Sequence, residues 1–111
     1  MGRVVFDPGE LRVRLELERP VSVSDGQGGE VVGFVSLGGL WGRVEPVAAV
    51  SVEIGGLRQV TVTHEIVVRQ RSDLVSGMRF VKGARRFLVR AVHDPDEGGR
   101  YLVCRCLEEG R

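Results

Sequence analysis

Residues 11–18 read LRVRLELE, and this stretch decides the fold class because apolar and charged residues alternate along its whole length. In an extended chain successive side chains point to opposite faces, so a period of two collects the apolar residues on one face. These residues are Leu11, Val13, Leu15 and Leu17. The stretch therefore predicts a strand that is buried on one side and solvated on the other.

Alternating or short apolar segments recur along the rest of the chain. They cover residues 30–36, 40–46, 60–69, 78–81, 85–93 and 101–108. The stretches SDGQGGE at 24–30 and DPDEGGR at 94–100 are typical of the turns between strands. A chain of 111 residues is long enough for one domain with a real core. We predict an all-β, single-domain barrel or sandwich of about six or seven strands that spans residues 1–111.

The middle segment, EPVAAVSVEIGGLRQ at 45–59, fits neither the strand period nor the helix period well. Early alanines tolerate a helix, β-branched residues follow, and Gly55 with Gly56 breaks either element. We predict that this segment is irregular, either a short helix or an extended excursion from the sheet. A long insertion in a compact β domain is often functional.

The charge balance argues against tight nucleic-acid binding. Sixteen Lys and Arg oppose 15 Asp and Glu, which gives a net charge of +1. The first half of the chain is acidic and the second half basic, a distribution that suits self-association. No stretch approaches the roughly 20 apolar residues of a membrane span, so we expect a soluble, intracellular protein with no membrane partner.

Three groups of residues could suggest chemistry, and each has a simpler interpretation. His64 and Glu65 begin like a zinc-protease motif, but Val68 occupies the position of the second His, and a strand points His64 and Glu65 to opposite faces. Cys104 and Cys106 fall on the same strand face as Leu102 and are expected to be buried. His93 and its neighbouring acids fit an ordinary turn. We therefore predict no catalytic residue, no metal and no cofactor, and a protein that is not an enzyme.

Taken in order, the residues resemble a known family, the tailed-phage head–tail joining proteins, also called head–tail adaptors, head closure proteins or stoppers. The similarity covers nearly the whole chain and is strongest from IVVRQRSDLVSGMRF at 66–80 to YLVCRCLE at 101–108. Gln70 and Phe87 depart from it, because the family often has Tyr at both positions. The Arg-rich composition also fits the phage-like gene transfer agents of high-GC bacteria.

This resemblance implies a structural subunit in the neck of a virion or phage-like particle, assembled in the bacterial cytoplasm. Its partners would be further copies of itself in a sixfold or twelvefold ring, the portal or adaptor ring, and a tail terminator or tail tube protein. Packaged double-stranded DNA would touch it only transiently in the channel. The ring would retain DNA and dock the tail.

Two groups of residues acquire expected roles in such a ring. We expect the apolar residues of the middle segment to contact a neighbouring subunit or the channel, unless the segment is a helix that caps the barrel of its own subunit. These residues are Val47, Val50, Val52, Ile54 and Leu57. We expect Arg69, Arg71 and Asp73 to form structural ion pairs, with a solvated run of charges as the alternative.

A different class of function remains open at this point. A small OB-like barrel could bind single-stranded nucleic acid or a protein partner. Such a barrel stacks bases on exposed aromatic side chains along a basic groove. This chain has six aromatic residues, and most of them occupy positions that predict burial.

Overall fold

The computed structural model describes residues 8–54 and 58–110, and it describes side chains outside residues 49–60. One turn of 3-10 helix at Pro8–Glu10 precedes the strands. The strands are β1 Val13–Ser24, β2 Glu30–Ile54, β3 Arg58–Arg69, β4 Arg79–Lys82, β5 Arg85–His93 and β6 Tyr101–Glu109. The predicted all-β fold is confirmed. Within the described ranges, no helix is long and apolar enough to cross a membrane.

The six strands close into an antiparallel barrel in the order β1-β2-β3-β6-β5-β4. Short β4 completes the ring, because it pairs with β5 on one side and with residues 16–18 of β1 on the other. Closure satisfies the backbone groups that an open sheet would leave along its edges. Of the two predicted architectures, the structure is the barrel.

The barrel is filled by the inward faces that the alternation predicts. Leu15 and Leu17 from β1 are almost fully buried. Phe80 and Phe87 lie opposite each other on β4 and β5, and neither is exposed. The same core includes Ile66, Val68, Leu74, Met78, Val89, Leu102, Cys104 and Cys106. A smaller cluster of Leu11, Val67 and Val103 lies on the outside, where the N-terminal 3-10 turn leads into the barrel.

Two hairpins extend beyond the barrel, and both contain part of β2. In the β1–β2 ribbon, residues 19–24 pair only with residues 30–35 in the described structure. In the β2–β3 ribbon, residues 50–54 pair with residues 58–62, whereas the pairing of β3 with β6 begins at His64. The molecule is accordingly elongated, with extents of 54 × 32 × 27 Å.

Each ribbon begins at a break in the strand register. Opposite Leu17, β2 has two residues, Leu37 and Gly38, and Gly38 adopts a φ of 99°. Farther along β2, residues 47–49 stand opposite the single residue Thr63. Extra residues in one strand bend it and increase its twist. These irregularities therefore direct β2 out of the barrel at both ends.

The prediction of a short helix in the middle segment is wrong. Residues 45–54 belong to β2 and residues 58–59 to β3, so the segment is an extended excursion, and no helix formed by these residues caps the barrel. The register places Val50 opposite Val62 and Val52 opposite Val60. β-Branched residues favour paired strands, and this preference outweighs that of two alanines for a helix. Among the described residues of the segment, the register is irregular at residues 47–49.

Candidate interaction surfaces

A polar cluster around His64 joins three strands near one end of the barrel. The Glu108 carboxylate accepts hydrogen bonds from Arg85 Nε at 2.8 Å and Nη2 at 3.0 Å. Thr63 Oγ1 lies 2.9 Å from His64 Nδ1 and accepts the backbone N–H of Glu108 at 2.8 Å. His64 Nε2 is 3.8 Å from Glu108 Oε1, and its ring packs edge-on against Phe87. His64 is only 9% exposed, and both of its ring nitrogens lie near polar side chains.

The same cluster explains why His64 and Glu65 do not act together. Glu65 lies on the outer face, with its carboxylate 3.8 Å from Arg105 Nε. The Arg85 guanidinium lies 3.5 Å from His64 Nε2, where its positive charge disfavours a bound cation. Among the described residues, no group of three or more His, Cys, Asp or Glu side chains could hold a metal ion. The arrangement braces β3, β5 and β6 against one another.

Cys104 and Cys106 lie inside the barrel, as the alternation predicts. Neither side chain is exposed. Burial raises the pKa of Cys104 to about 12 and raises that of Cys106 as well. Both groups are therefore protonated thiols at neutral pH, and thiols are poor nucleophiles and poor metal ligands compared with thiolates. They act as small apolar core residues.

Arg69, Arg71 and Asp73 lie at and after the end of β3, but they do not form one network. Arg71 Nε and Nη2 donate to the two carboxylate oxygens of Asp73, each at 2.9 Å. Hydrogen bonding to Arg71 lowers the pKa of Asp73. Arg69 instead lies over the Tyr101 ring, 5.9 Å from its centroid. A contact of these residues with a second subunit stays a prediction.

Arg69 and Arg71 also line a cleft of about 220 Å³, here named the Trp41 cleft. Its other walls are Pro8, Leu11, Leu40 and Trp41. Trp41 is 52% exposed, and the Arg14 guanidinium lies 5.4 Å from its ring centroid. Exposed Trp and Arg side chains dominate the energetics of many protein interfaces. The lining of this cleft is more apolar than polar.

Sequence reasoning missed the exposure of Trp41, although the signal was present. Leu40 stands opposite the buried Leu15, and Trp41 stands opposite Arg14, which belongs to the charged face of LRVRLELE. Strict alternation therefore assigns Trp41 to the outer face. A large aromatic residue suggests burial by its hydrophobicity alone, and in this case the position in the strand outweighs that preference.

The β1–β2 ribbon carries apolar side chains that the described residues leave exposed. Val23 and Val31 are directly opposite each other, and with Val35 they occupy the face that continues the inward face of β1. On the other face, Arg79 lies 3.7 Å from the Phe34 ring centroid and donates to Glu18 at 2.6 Å. One face of the ribbon is therefore held against β4 at its base, and valines are exposed on both faces toward the tip, with Val32 on the Phe34 face at 68% exposure.

The tip of this ribbon is an ordered turn. Asp25 Oδ1 accepts the backbone N–H groups of Gln27 at 2.8 Å and of Gly29 at 3.0 Å. Gly26 and Gly28 have φ values of 79° and 84°, which a side chain would strain. Residues 20–35 include two acidic residues, Asp25 and Glu30, and no basic residue. The tip is therefore acidic, apolar and preformed.

The β2–β3 ribbon contains the residues expected to contact a neighbour or the channel. Val47 is partly buried at the start of the ribbon. The backbone of Val50, Val52 and Ile54 is paired with β3, and their side chains are not among those described. Leu57 lies outside the described residues. Their role in contacts between subunits stays a prediction.

Comparison with known proteins decides what kind of molecule carries these surfaces. Residues 6–110 match the family described as phage head completion protein. The chain belongs to this family. The comparison with curated proteins yields no match. This head completion protein is also similar to a chain in a solved structure, the virion of a native gene transfer agent particle. The two chains are 30% identical and superpose with a TM-score of 0.67, over 89% of this chain and 94% of the other.

These findings confirm the resemblance stated from the sequence. The head completion protein is a structural protein of a phage or phage-like particle, not an enzyme. Phe80 and Phe87 are buried inside the barrel, so these two rings offer no stacking surface for the alternative, a barrel that binds single-stranded nucleic acid. Family membership and the buried aromatic residues therefore agree.

Proposed function

We propose that this head completion protein is a head closure subunit that forms a sixfold or twelvefold ring between the portal or adaptor ring and the tail. The ring retains the packaged double-stranded DNA and presents the surface to which a tail terminator or tail tube protein docks. Its place is the neck of the particle, after assembly in the bacterial cytoplasm. The observation that carries this proposal is a closed barrel from which the β2–β3 ribbon projects.

A projecting ribbon gives a ring subunit a means of reaching beyond its own barrel. At about 3.3 Å per residue, the five paired residues 50–54 extend roughly 16 Å past the last register break. Copies arranged around an axis would bring such ribbons either to the channel or to the adjacent barrel. Residues 45–59 suit contacts of this kind, because they include five large aliphatic residues: Val47, Val50, Val52, Ile54 and Leu57.

The charge of the ribbon favours contact with protein over binding to DNA. Residues 45–59 include Glu45, Glu53 and Arg58, so acidic residues outnumber basic ones. Affinity for the DNA backbone depends on neutralising phosphates with Lys and Arg. The ribbon would therefore obstruct the channel physically without gripping the DNA, which leaves the DNA able to pass when the channel opens.

The test replaces residues 48–57 by a short Gly-Ser linker in particles that otherwise assemble normally. We expect a folded subunit, since this exchange leaves every strand pairing of the barrel intact, together with loss of tail attachment or of DNA retention. Negative-stain images of particles that lack the whole protein should show filled or leaking heads without tails.

Circular dichroism and thermal unfolding of the purified variant provide the control. A variant that no longer folds would show that the ribbon stabilises its own barrel. If the folded variant gave normal tailed, DNA-filled particles, the ribbon would have no role in DNA retention or tail attachment. If particles that lack the whole protein were normal, the proposed function would be refuted.

A further inference from the structure

We propose that the tip of the β1–β2 ribbon of one copy docks into the Trp41 cleft of the next copy. The partner is a second copy of this chain, and the contact joins two different surfaces of the same molecule. This inference rests on the proposed ring and identifies the residues that hold it together. Four observations support it: the chemistry of the cleft, the chemistry of the tip, the order of the tip and the distance between the two surfaces.

The cleft offers an apolar floor inside a basic rim. Leu11, Leu40 and the exposed ring of Trp41 provide the floor. A cavity of about 150 Å³ is large enough for benzene, so a cleft of about 220 Å³ accepts a valine side chain. The preferred occupant is therefore apolar at its centre.

The rim attracts negative charge. Arg69 and Arg71 line the cleft, and Arg14 lies beside it over the Trp41 ring; Arg71 is offset by Asp73. The Arg69 guanidinium lies 5.9 Å from the Tyr101 ring centroid, within the range of a cation–π contact, and its positive charge attracts a carboxylate in the cleft that it lines. Glu10, which follows the Pro8 wall, is paired with Arg43 at 3.4 Å. The preferred occupant therefore carries an acidic residue beside its apolar centre.

The ribbon tip has this composition. Val32 is 68% exposed and shares one face of the ribbon with the exposed Glu30, because residues two apart in a strand lie on the same face. Val23 and Val31, at 45% and 54% exposure, form a second exposed apolar pair on the opposite face. The Asp25 turn holds the tip in one conformation before it binds. Preorganisation reduces the conformational entropy lost on docking. The tip and the cleft are therefore complementary both in polarity and in charge.

The two surfaces cannot meet within one copy. Trp41 pairs with Arg14 at one end of the β1–β2 strand pair, and Ser24 pairs with Glu30 at the other. Ten residues separate Arg14 from Ser24, which corresponds to about 33 Å of strand at roughly 3.3 Å per residue. Complementary surfaces at opposite ends of a rigid element satisfy each other only between copies. Such head-to-tail contacts generate a ring when the rotation between neighbours closes.

The experiment uses Trp41 as its own probe, because it is the one tryptophan of the chain. Fluorescence emission and sedimentation of the purified protein are followed as its concentration rises. Docking removes Trp41 from water, so the emission should shift to shorter wavelength in step with association. Val32→Ser should weaken association about tenfold or more. Val75→Ser is the control, because Val75 is also an exposed valine, at 54%, but lines a different cleft beside Arg90 and Val92, and it should change nothing.

Charge reversal identifies the partner. Arg69→Glu and Glu30→Arg should each weaken association by about tenfold, and the double variant should recover most of that loss, since opposite charges again face each other. A mixture of the two single variants should also associate better than either alone. Recovery of this kind requires that a copy of the chain supply both surfaces.

Several outcomes would overturn the inference. They are a chain that stays monomeric at every concentration, assembly without an emission shift, or a double variant as weak as the singles. If a DNA duplex shifted the Trp41 emission and self-association did not, the cleft would be a nucleic-acid site, and this result would also reject the inference. These results come from the purified protein, whereas the proposed function is tested by the phenotype of particles that lack the protein. The two tests can therefore fail independently.

Discussion

At the scale of single residues, the ion pairs of this protein differ in how much stability they provide. Glu108 is only 8% exposed, and its carboxylate accepts two hydrogen bonds from Arg85 while lying near His64. The Arg71–Asp73 pair has similar hydrogen-bond distances, but the Asp73 side chain is 46% exposed. Water and salt screen exposed pairs, so geometry alone does not measure their contribution.

Glu108→Gln should lower the free energy of unfolding by about 1–3 kcal/mol, because Arg85 loses a charged acceptor close to the core. Urea unfolding followed by circular dichroism measures the change. Glu109→Gln is the matched control, since Glu109 is the adjacent, exposed residue, and its effect should stay below about 0.5 kcal/mol. Equal effects of the two substitutions would show that the cluster contributes no stability.

Asp73 should give a small dependence of stability on pH. Arg71 lowers the pKa of Asp73 in the folded protein below its ordinary value of 3.8. The carboxylate therefore stabilises the fold above pH 3.8, and this contribution is lost as the pH falls through the lowered pKa. Because the pair is exposed, the loss should not exceed about 1 kcal/mol.

Unfolding curves of Asp73→Asn and the native protein, compared from neutral pH down to pH 3, test this effect. The difference between them should shrink below pH 3.8. Arg71→Gln should show the same shallower acid profile. A difference that does not depend on pH would mean that the ion pair is not formed in solution.

At the scale of elements, the course of β2 depends on the two breaks in its register. Gly38 adopts a φ of 99° at the break beside the β1–β2 ribbon, and an added Cβ there would meet nothing within 4 Å. Any cost of substitution at this position is therefore conformational and not steric. Glycine supplies a backbone shape that β-branched residues resist.

Gly38→Val should destabilise the protein by about 1–2 kcal/mol, whereas Gly38→Asn should cost clearly less, because asparagine tolerates positive φ. Thermal unfolding of the two variants gives the comparison. The same loss in both would indicate that the bulge relaxes to ordinary strand geometry when glycine is absent.

The strands of the barrel were predictable because their alternation is local. For residues 45–54 the sequence left a short helix and an extended form open, because the extended form depends on the pairing of residues 50–54 with residues 58–62. Barrel closure depends on contacts still farther apart, between Glu16 and Val81. The exposure of Trp41 follows from alternation, but the cleft beside it requires the N-terminal turn and the end of β3 to meet. Local sequence patterns cannot specify such tertiary contacts.

At the scale of the whole molecule, the two ribbons determine the shape. A compact chain of this length has a radius of gyration of about 13 Å, whereas the Cα radius of gyration here is 14.9 Å. The excess agrees with the long axis of 54 Å. The protein is therefore a small barrel with two projections, and both are available for contacts between copies.

Replacing residues 48–57 by a short linker should reduce the radius of gyration measured by small-angle X-ray scattering toward that of a compact chain. The intact protein should give a longer maximum dimension than the variant. Measurements at low concentration are needed, so that self-association does not enlarge the particle. An unchanged radius would mean that the β2–β3 ribbon folds back on the barrel in solution.

Strand β2 runs through both ribbons and the barrel as one element, from Glu30 to Ile54. Tension along this strand acts on its backbone hydrogen bonds to β1 and β3 in parallel, as a shear load, because the bonds lie perpendicular to the strand in an antiparallel sheet. Sliding by one residue would also turn the inward side chains outward. A pull on one ribbon is therefore transmitted along β2 to the other, and the proposed neck ring would load the strand in this way.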